Sequence, residues 1–292
     1  MTAIALDIGG SKIAAARVGP DGAPGEVATV ATPAVGVWPA VAELLRSVAD
    51  PRITRVGISS PGPVDLGAGT VAPINIAEWR DGFALVDAVS QEFGGAEVRL
   101  GGDGGCAALG ESVFGAGRGV ADLLGVVVST GIGGGIVLDG RLVPGRSGNA
   151  GHVGHIVVPG GEDVCACGGV GCVETVASGP AAVRWARARR WPGRNGRQLA
   201  ADAASGDPTA VAALARAGTA LGQALAGAAA TLDVGLVVIG GGFAESGAPL
   251  WDPLRTSLAR HARLQFLADL QVVPAALGAR ASLAGAAVLA AG

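Results

Sequence analysis

The chain has 292 residues, a formal net charge of −3 and 50% hydrophobic residues. This length accommodates two domains with sizeable cores, and the nearly neutral charge predicts no nucleic-acid partner. Apolar runs are short and interrupted by glycine, so we expect no membrane-spanning segment. The start, Met1-Thr2-Ala3, has no basic region before the first strand, so we expect no signal peptide and a cytoplasmic location.

Near the N-terminus, two apolar runs flank a glycine-rich turn. Residues 3–8 read as a buried strand, GGSK follows, and residues 13–18 continue as a second strand. The backbone N–H groups of such a turn can bind phosphate oxygens. Asp7, at the end of the first strand, can hold Mg²⁺ through water. A plain hairpin turn is the simpler interpretation of this motif when it is taken alone.

The next segment alternates helices and strands, as in an α/β fold. The pattern predicts, in chain order, a helix over 38–49, a strand over 53–59, a loop over 72–83 with Asn75, a helix over 84–93 and a strand over 97–100. Asp103 lies between that last strand and an alanine-rich helix from Cys106, at the side of an α/β sheet where ligands bind. An N-cap role is the alternative, and the residues alone favour it.

A second glycine-rich hairpin follows. Residues 123–129 read as a buried strand, and after the run from Thr130 to Gly135 the chain returns as a strand over 136–140. The same arrangement of strand, hydroxyl, glycines and strand has now occurred twice. The repeat predicts two related lobes whose turns face one nucleotide.

Three of the four cysteines lie in the stretch 152–174. Cys165, Cys167 and Cys172 form the pattern C-x-C-x4-C, with His155 upstream. One imidazole and three thiolates make a closed tetrahedral set for a structural Zn²⁺. The alternative is a chance cluster of buried cysteines. We favour zinc because the chain is otherwise poor in cysteine and a cytosolic protein has little use for disulfides.

The remaining segments again alternate. The pattern predicts helices over 179–190 and 207–231, a strand over 234–239, a helix over 253–262, a strand over 270–273 and a last helix over 278–290. Gly240 to Gly242 follow the strand that ends at 239. Three glycines there allow a ligand to lie against the backbone, or simply make a tight turn.

Five stretches together resemble the ROK family (repressors, open reading frames, sugar kinases): LDIGGSK, GISSPGPVD, GDGGCAALGE, STGIGGGIVLDG and AGHVGH with CACGGVGCVE. The resemblance covers essentially the whole chain. It implies an α/β chain with the actin-like ATPase (ribonuclease H-like) fold, in two lobes around a central cleft. The N-terminal lobe would span 1–105, with the helix at about 278–292 returning to it. The C-terminal lobe, 106–277, would carry the zinc motif.

The resemblance also implies roles for individual residues. Asp103 matches the catalytic base that accepts the proton of the attacking sugar hydroxyl. The other matches bind ATP (Asp7, Gly9, Gly10, Ser11, Lys12, Thr130, Gly131, Gly133, Gly240, Gly241 and Gly242), the sugar (Gly62, Asn75, His155 and Glu174) or structural zinc (His155, Cys165, Cys167 and Cys172). The implied reaction is Mg²⁺-assisted transfer of phosphate from ATP to the 6-hydroxyl of a hexose. A polyphosphate donor would leave the same motifs, and a homodimer is implied by analogy.

Two substrate-binding positions depart from the family pattern. Gly102 stands where the family usually has Asn, and His152 stands where it usually has Glu. In ROK glucokinases both positions contact the O3 and O4 edge of the hexose, so their loss predicts altered discrimination at that edge. The expected substrate is glucose itself, with water filling the gap, or an analogue altered there, such as kanosamine (3-amino-3-deoxyglucose) or a cyclitol.

The competing functions are a catalytically idle sugar sensor and a ROK transcriptional regulator. Retention of Asp103 argues against the idle sensor. The first hairpin begins at residue 3, so we expect no helix-turn-helix ahead of it, and the net charge does not favour DNA.

Overall fold

A computed structural model describes residues 2–50 and 52–292 of the chain, so Met1, which entered the expectation about a signal peptide, lies outside the described residues. The chain divides into two compact units. The first contains the segment up to Ala121 together with Gly135–Ala150 and Ala279–Gly292, and the second contains Asp122–Gly134 and Gly151–Gly278. The lobe boundaries predicted from the sequence differ from this division, because they put residues 106–121 and 135–150 in the C-terminal lobe. They describe functional lobes, so they stay a prediction.

The strands and helices alternate along the chain, as the sequence predicts. The strands are β1 (Thr2–Ile8), β2 (Lys12–Val18), β3 (Pro24–Ala31), β4 (Ile53–Ser60), β5 (Val64–Asp65), β6 (Thr70–Val71), β7 (Glu97–Gly102), β8 (Leu123–Val128), β9 (Ile132–Leu138), β10 (Arg141–Leu142), β11 (Leu236–Gly240) and β12 (Gln271–Pro274). The helices are α1 (Val37–Val48), α2 (Leu85–Glu92), α3 (Asp103–Phe114), α4 (Glu174–Ala177), α5 (Gly179–Arg187), α6 (Gly196–Ala204), α7 (Pro208–Leu232), α8 (Ala248–His261) and α9 (Ala281–Ala291). The predicted α/β class is confirmed.

Two five-stranded sheets share one topology. The first has the order β3-β2-β1-β4-β7 and the second has the order β10-β9-β8-β11-β12. Each sheet therefore runs third, second, first, fourth and fifth along the chain. In the first sheet β1, β4 and β7 are parallel, and in the second β8, β11 and β12 are parallel. Because parallel strands end at the same edge, the residues that follow them are brought together within each sheet.

Small residues allow α9 to lie directly on the first sheet. Ala5 and Ala14 of the sheet pack against Ala286 and Ala287 of the helix. Gly57 on β4 touches the helix backbone at Ala286, and a Cβ there would overlap it. The opposite face of the sheet packs against α1 with larger aliphatic side chains. The alanine and glycine content of the C-terminal segment is therefore a packing requirement of this helix.

In the second unit, α7 forms a long scaffold. It begins where Asp207 Oδ1 accepts a hydrogen bond of 2.8 Å from Ala210 N, with Pro208 in the first turn. Gly218 and Gly222 face the backbone of α8 at distances that leave no room for a Cβ. The described residues contain no helix that is both long enough and apolar enough to cross a bilayer.

Candidate nucleotide, sugar and metal sites

The first glycine-rich turn begins at Asp7, near the end of β1. Asp7 lies opposite Ser59 on the parallel strand β4, and the Ser59 hydroxyl donates a hydrogen bond of 2.7 Å to Asp7 Oδ1. Burial raises the pKa of Asp7 to about 6, the hydrogen bond from Ser59 opposes this rise, and the negative charge of Asp103 adds to it. A partly desolvated carboxylate of this kind favours pairing with a cation, so the site fits the expected Mg²⁺.

The backbone of this turn is fixed by short hydrogen bonds. Gly9 N donates to Lys12 O at 3.0 Å, and the Thr32 hydroxyl donates to Gly9 O at 2.6 Å. Asn75, the expected sugar contact, lies against Gly10, where a Cβ would come 2.6 Å from Asn75 Nδ2. The structure therefore brings Asn75 to the first turn, and only a glycine at position 10 allows this approach.

Asp103 is the first residue of α3, directly after β7. The N-cap position belongs to Gly102, so the simple N-cap role considered for Asp103 is not what the structure shows. Asp103 Oδ1 accepts a hydrogen bond of 2.7 Å from Gly104 N. Apart from the adjoining backbone, no atom of the described residues lies within 4 Å of where a Cβ on Gly102 would be. Gly62, which follows β4 at the same edge of the sheet, is joined to Pro63 by a cis peptide bond.

The second glycine-rich turn connects β8 to β9 within the second unit. Ser129 N donates to Gly131 O at 2.9 Å, and Gly179 N donates to Ser129 O at 2.9 Å. Ile132 N donates a hydrogen bond of 2.7 Å to Glu174 Oε2. Its two chain neighbours aside, no atom in the part of the chain that the structure describes comes within 4 Å of a Cβ position on Gly133. The turn is thus anchored on one side and leaves open space beside the glycine that the resemblance assigns to phosphate.

A cavity of about 540 Å³ opens beside this turn. It is lined by Ser129, Thr130, Gly179, Pro180, Val183, Arg184, Arg194, Asn195, Gly196, Gly242 and Phe243. Two of the expected ATP residues, Thr130 and Gly242, thus line one cavity. Gly241 next to them has φ +94°, and a Cβ there would overlap Val128 O, so this turn after β11 requires glycine. The volume and the mixture of apolar wall and guanidinium groups fit a nucleotide.

The four expected zinc ligands lie together. The ligand atoms of His155, Cys165, Cys167 and Cys172 are all within 4.8 Å of one another. Cys165 Sγ is 3.7 Å from His155 Nδ1, and Cys167 Sγ is 3.7 Å from Cys172 Sγ. A tetrahedral zinc site with Zn–S bonds of about 2.3 Å has ligand–ligand edges of roughly 3.8 Å. The three cysteines are not in disulfides, so the donor set fits Zn²⁺.

Next to this cluster lie the other residues expected on the sugar side. The rings of His152 and His155 are 5.9 Å apart and nearly parallel, at 16°. Glu174 Oε1 is 4.0 Å from Cys165 Sγ. The structure therefore brings His152, His155 and Glu174 together around the candidate zinc ligands, within the second unit.

Sequence reasoning missed several contacts because the partners are far apart in the chain. Thr32 holds Gly9 from 23 positions away. Asn149 binds the backbone of Val64: its Oδ1 accepts from Val64 N at 3.0 Å and its Nδ2 donates to Val64 O at 2.7 Å. The Asn149 amide thus pairs with the backbone of Val64 as a neighbouring strand would, and it fixes the segment after Gly62. No local pattern in the sequence indicates either contact.

Two solved structures resemble this one closely. A ROK hexokinase from Thermus thermophilus superposes with a TM-score of 0.89 at 35% identity, over 100% of this chain and 98% of that one. A ROK family glucokinase from Streptomyces griseus, in complex with glucose and AMPPNP, gives a TM-score of 0.82 at 36% identity, over 100% and 99%. Among relatives known by sequence, an N-acetylmannosamine kinase from Citrobacter koseri is 36% identical over 100% of this chain and 99% of its own.

These likenesses confirm the expected fold class, the actin-like ATPase fold, for the two related sheets and their glycine-rich turns. The ROK family model matches residues 3–292. The chain belongs to the ROK family.

Proposed function

We propose that this chain is an ATP-dependent sugar kinase that phosphorylates the 6-hydroxyl of a hexose. The observation that carries the proposal is the cavity beside Thr130 and Gly242, which has the size and lining for a nucleotide. Relatives with the same fold and about 35% identity are named as hexokinase and glucokinase. The retained carboxylate of Asp103 supports an active enzyme over an idle sugar sensor.

In the proposed reaction, Asp103 accepts the proton of the sugar 6-hydroxyl as that oxygen bonds to the γ-phosphorus of ATP. The bond between the γ-phosphorus and the bridging oxygen breaks, and ADP leaves with the electron pair. Asp7 would hold Mg²⁺ through water, and the ion supplies neutralisation of the phosphate charge. The backbone N–H groups of Gly10 and Gly131 would orient the phosphates, and the hydrogen bond from Gly9 N to Lys12 O would hold the first turn in shape.

We further propose that His155, Cys165, Cys167 and Cys172 bind one structural Zn²⁺. The ligand distances of 3.7 Å support this assignment, and four protein ligands leave no open position for catalysis. His155 and Glu174 would contact the O1 and O2 side of the sugar, so the metal would brace this part of the pocket. Reduced thiolates also fit a cytoplasmic location. A homodimer is part of the proposal and is testable by light scattering.

The finer specificity depends on Gly102 and His152. The open space at Gly102 supports a pocket that accepts a group larger than, or different from, the O3 and O4 hydroxyls of glucose. A ring nitrogen of His152 can accept a hydrogen bond from an amino group. Kanosamine is therefore the proposed alternative to glucose.

A coupled ADP-release assay over a panel of sugars tests the function. The panel contains glucose, N-acetylmannosamine, kanosamine and 6-deoxyglucose, each with MgATP. We expect turnover with at least one hexose that has a 6-hydroxyl and none with 6-deoxyglucose. ADP release that no sugar stimulates, in a protein that binds glucose, would establish the idle sensor instead.

A further inference from the structure

The segment that follows the candidate zinc ligands holds the second glycine-rich turn at two points. Gly179 N, at the start of α5, donates to Ser129 O at 2.9 Å. Glu174, the first residue of α4, accepts a hydrogen bond of 2.7 Å from Ile132 N through Oε2. These two contacts reach the turn from residues 42 and 50 positions further along the chain. The turn is therefore shaped by α4 and α5 as well as by its own glycines.

The contact with Glu174 is charge-assisted and close. Its carboxylate lies against the turn, as the space at Gly131 shows: a Cβ added there would come 2.7 Å from Oε2. A hydrogen bond from an N–H to a carboxylate is about twice as strong as a neutral one. Ile132 is buried. Loss of the Glu174 carboxylate would therefore leave the backbone N–H of a buried residue without this acceptor.

A carboxylate at a phosphate-binding turn needs a reason, since it carries the same charge sign as the ligand. Glu174 takes up the Ile132 N–H, so that donor is directed away from any phosphate. Thr130, on the same turn, lines the cavity that we propose for the nucleotide. The geometry thus assigns to Oε2 the task of fixing the turn, which is separate from contact with the sugar.

We propose that Glu174 is a positioning residue for nucleotide binding, in addition to the sugar contact that the family resemblance implies. Its Oε2 fixes the conformation of the Thr130–Ile132 backbone through the Ile132 N–H, so one side chain serves both substrates of the reaction. This inference rests on the proposed kinase function. A residue that contacts only the sugar would leave nucleotide affinity unchanged in the absence of sugar, which separates the two roles.

The test is the affinity of the protein for Mg·AMPPNP without sugar, measured by isothermal titration calorimetry. We expect Glu174→Ala to bind roughly tenfold more weakly, because the buried N–H loses its acceptor. Glu174→Gln retains an oxygen that can accept from Ile132 N, so we expect affinity within about twofold of wild type. Glu162→Ala, an exposed acid in the same region of the chain, is the matched control and should bind as wild type does.

Nucleotide affinity that is equal in wild type and Glu174→Ala overturns the inference while leaving the kinase function intact. Failure of the wild-type protein to bind nucleotide overturns the proposed function and the inference with it. If Glu174→Ala does not fold, Glu174→Asp replaces it, because it keeps the charge but is one methylene too short for the same hydrogen bond. Glu174→Asp is then expected to lose about tenfold in affinity, and affinity equal to wild type contradicts the proposal.

Discussion

The partly desolvated charge of Asp7 should lower the stability of the folded protein, and Asp7→Asn should restore that stability. Asparagine keeps an oxygen that can accept the hydrogen bond from Ser59, but it removes the charge that the fold desolvates. We therefore expect a more stable protein that has lost its kinase activity, because the proposed Mg²⁺ contact is gone. Such a trade of stability for function is common at active sites.

The magnitude follows from the pKa of Asp7, which burial raises from 3.8 to about 6. That displacement of the pKa corresponds to about 3 kcal/mol of destabilisation of the charged form. Solvent screens part of this energy because the side chain is only half-buried, so we expect Asp7→Asn to raise the free energy of unfolding by about 2 kcal/mol. A raised pKa means that the contribution of Asp7 to the free energy of unfolding is fully present below pH 3.8 and is lost as the pH rises through 6. Asparagine does not titrate, so the variant keeps this contribution at pH 7.

The assay is thermal unfolding without nucleotide or Mg²⁺, at several pH values from 4 to 7.5. At pH 7 we expect Asp7→Asn to melt about 3 °C above wild type, and the difference should shrink as the pH falls below the pKa of Asp7. Asp81→Asn removes one exposed carboxylate and serves as the control for net charge. A variant that melts at or below the wild-type temperature at pH 7, or a difference that is independent of pH, would refute the reasoning.

Three further predictions concern the metal, the sugar and the segment after Gly62. Mass spectrometry of the native protein should find one zinc per chain and none in Cys167→Ala; retention of full zinc by that variant would exclude the proposed ligand set. Gly102→Asn combined with His152→Glu should raise kcat/KM for glucose about tenfold or more, whereas an unchanged value would mean that these positions do not set specificity. Asn149→Leu should raise the KM for sugar several-fold with little change in the KM for ATP, since it frees the backbone of Val64. Ser147→Ala removes only one hydrogen bond to Asn149 and should have a smaller effect. Equal effects of the two substitutions would argue against the importance of the Val64 contact.

Local patterns in the sequence predicted most of the regular structure. Buried strands such as β1, β4 and β8 and the long helix α7 have continuous apolar runs or helical periodicity that reveal them. The clustering of the four candidate zinc ligands was equally accessible, because the three cysteines lie within eight residues; zinc binding itself stays a prediction.

The elements that were missed lack those patterns. β3 is an edge strand with mostly exposed or half-buried residues, so it has no apolar run to mark it, and α6 buries only Leu199 and Ala203. The predicted helix over 253–262 begins earlier, at Ala248, because Pro249 occupies its first turn. These errors arise where burial or capping, and not periodicity, decides the structure.

The site itself was only partly accessible from the sequence. Family motifs indicated Asp103, Thr130 and Glu174, but the contact of Glu174 with Ile132 joins residues 42 positions apart. The contact of Ser59 with Asp7 likewise depends on the pairing of β1 and β4. Tertiary contacts of this kind are set by how elements pack, which no single stretch of sequence contains.

The most direct test of the account is turnover by Asp103→Asn with MgATP and the best sugar of the panel, alongside calorimetric sugar binding. Loss of the proposed base should lower kcat by about 10² to 10⁴-fold while the affinity for the sugar stays within a few-fold of wild type. Turnover at the wild-type rate in that variant would contradict the assignment of Asp103 and the mechanism built on it.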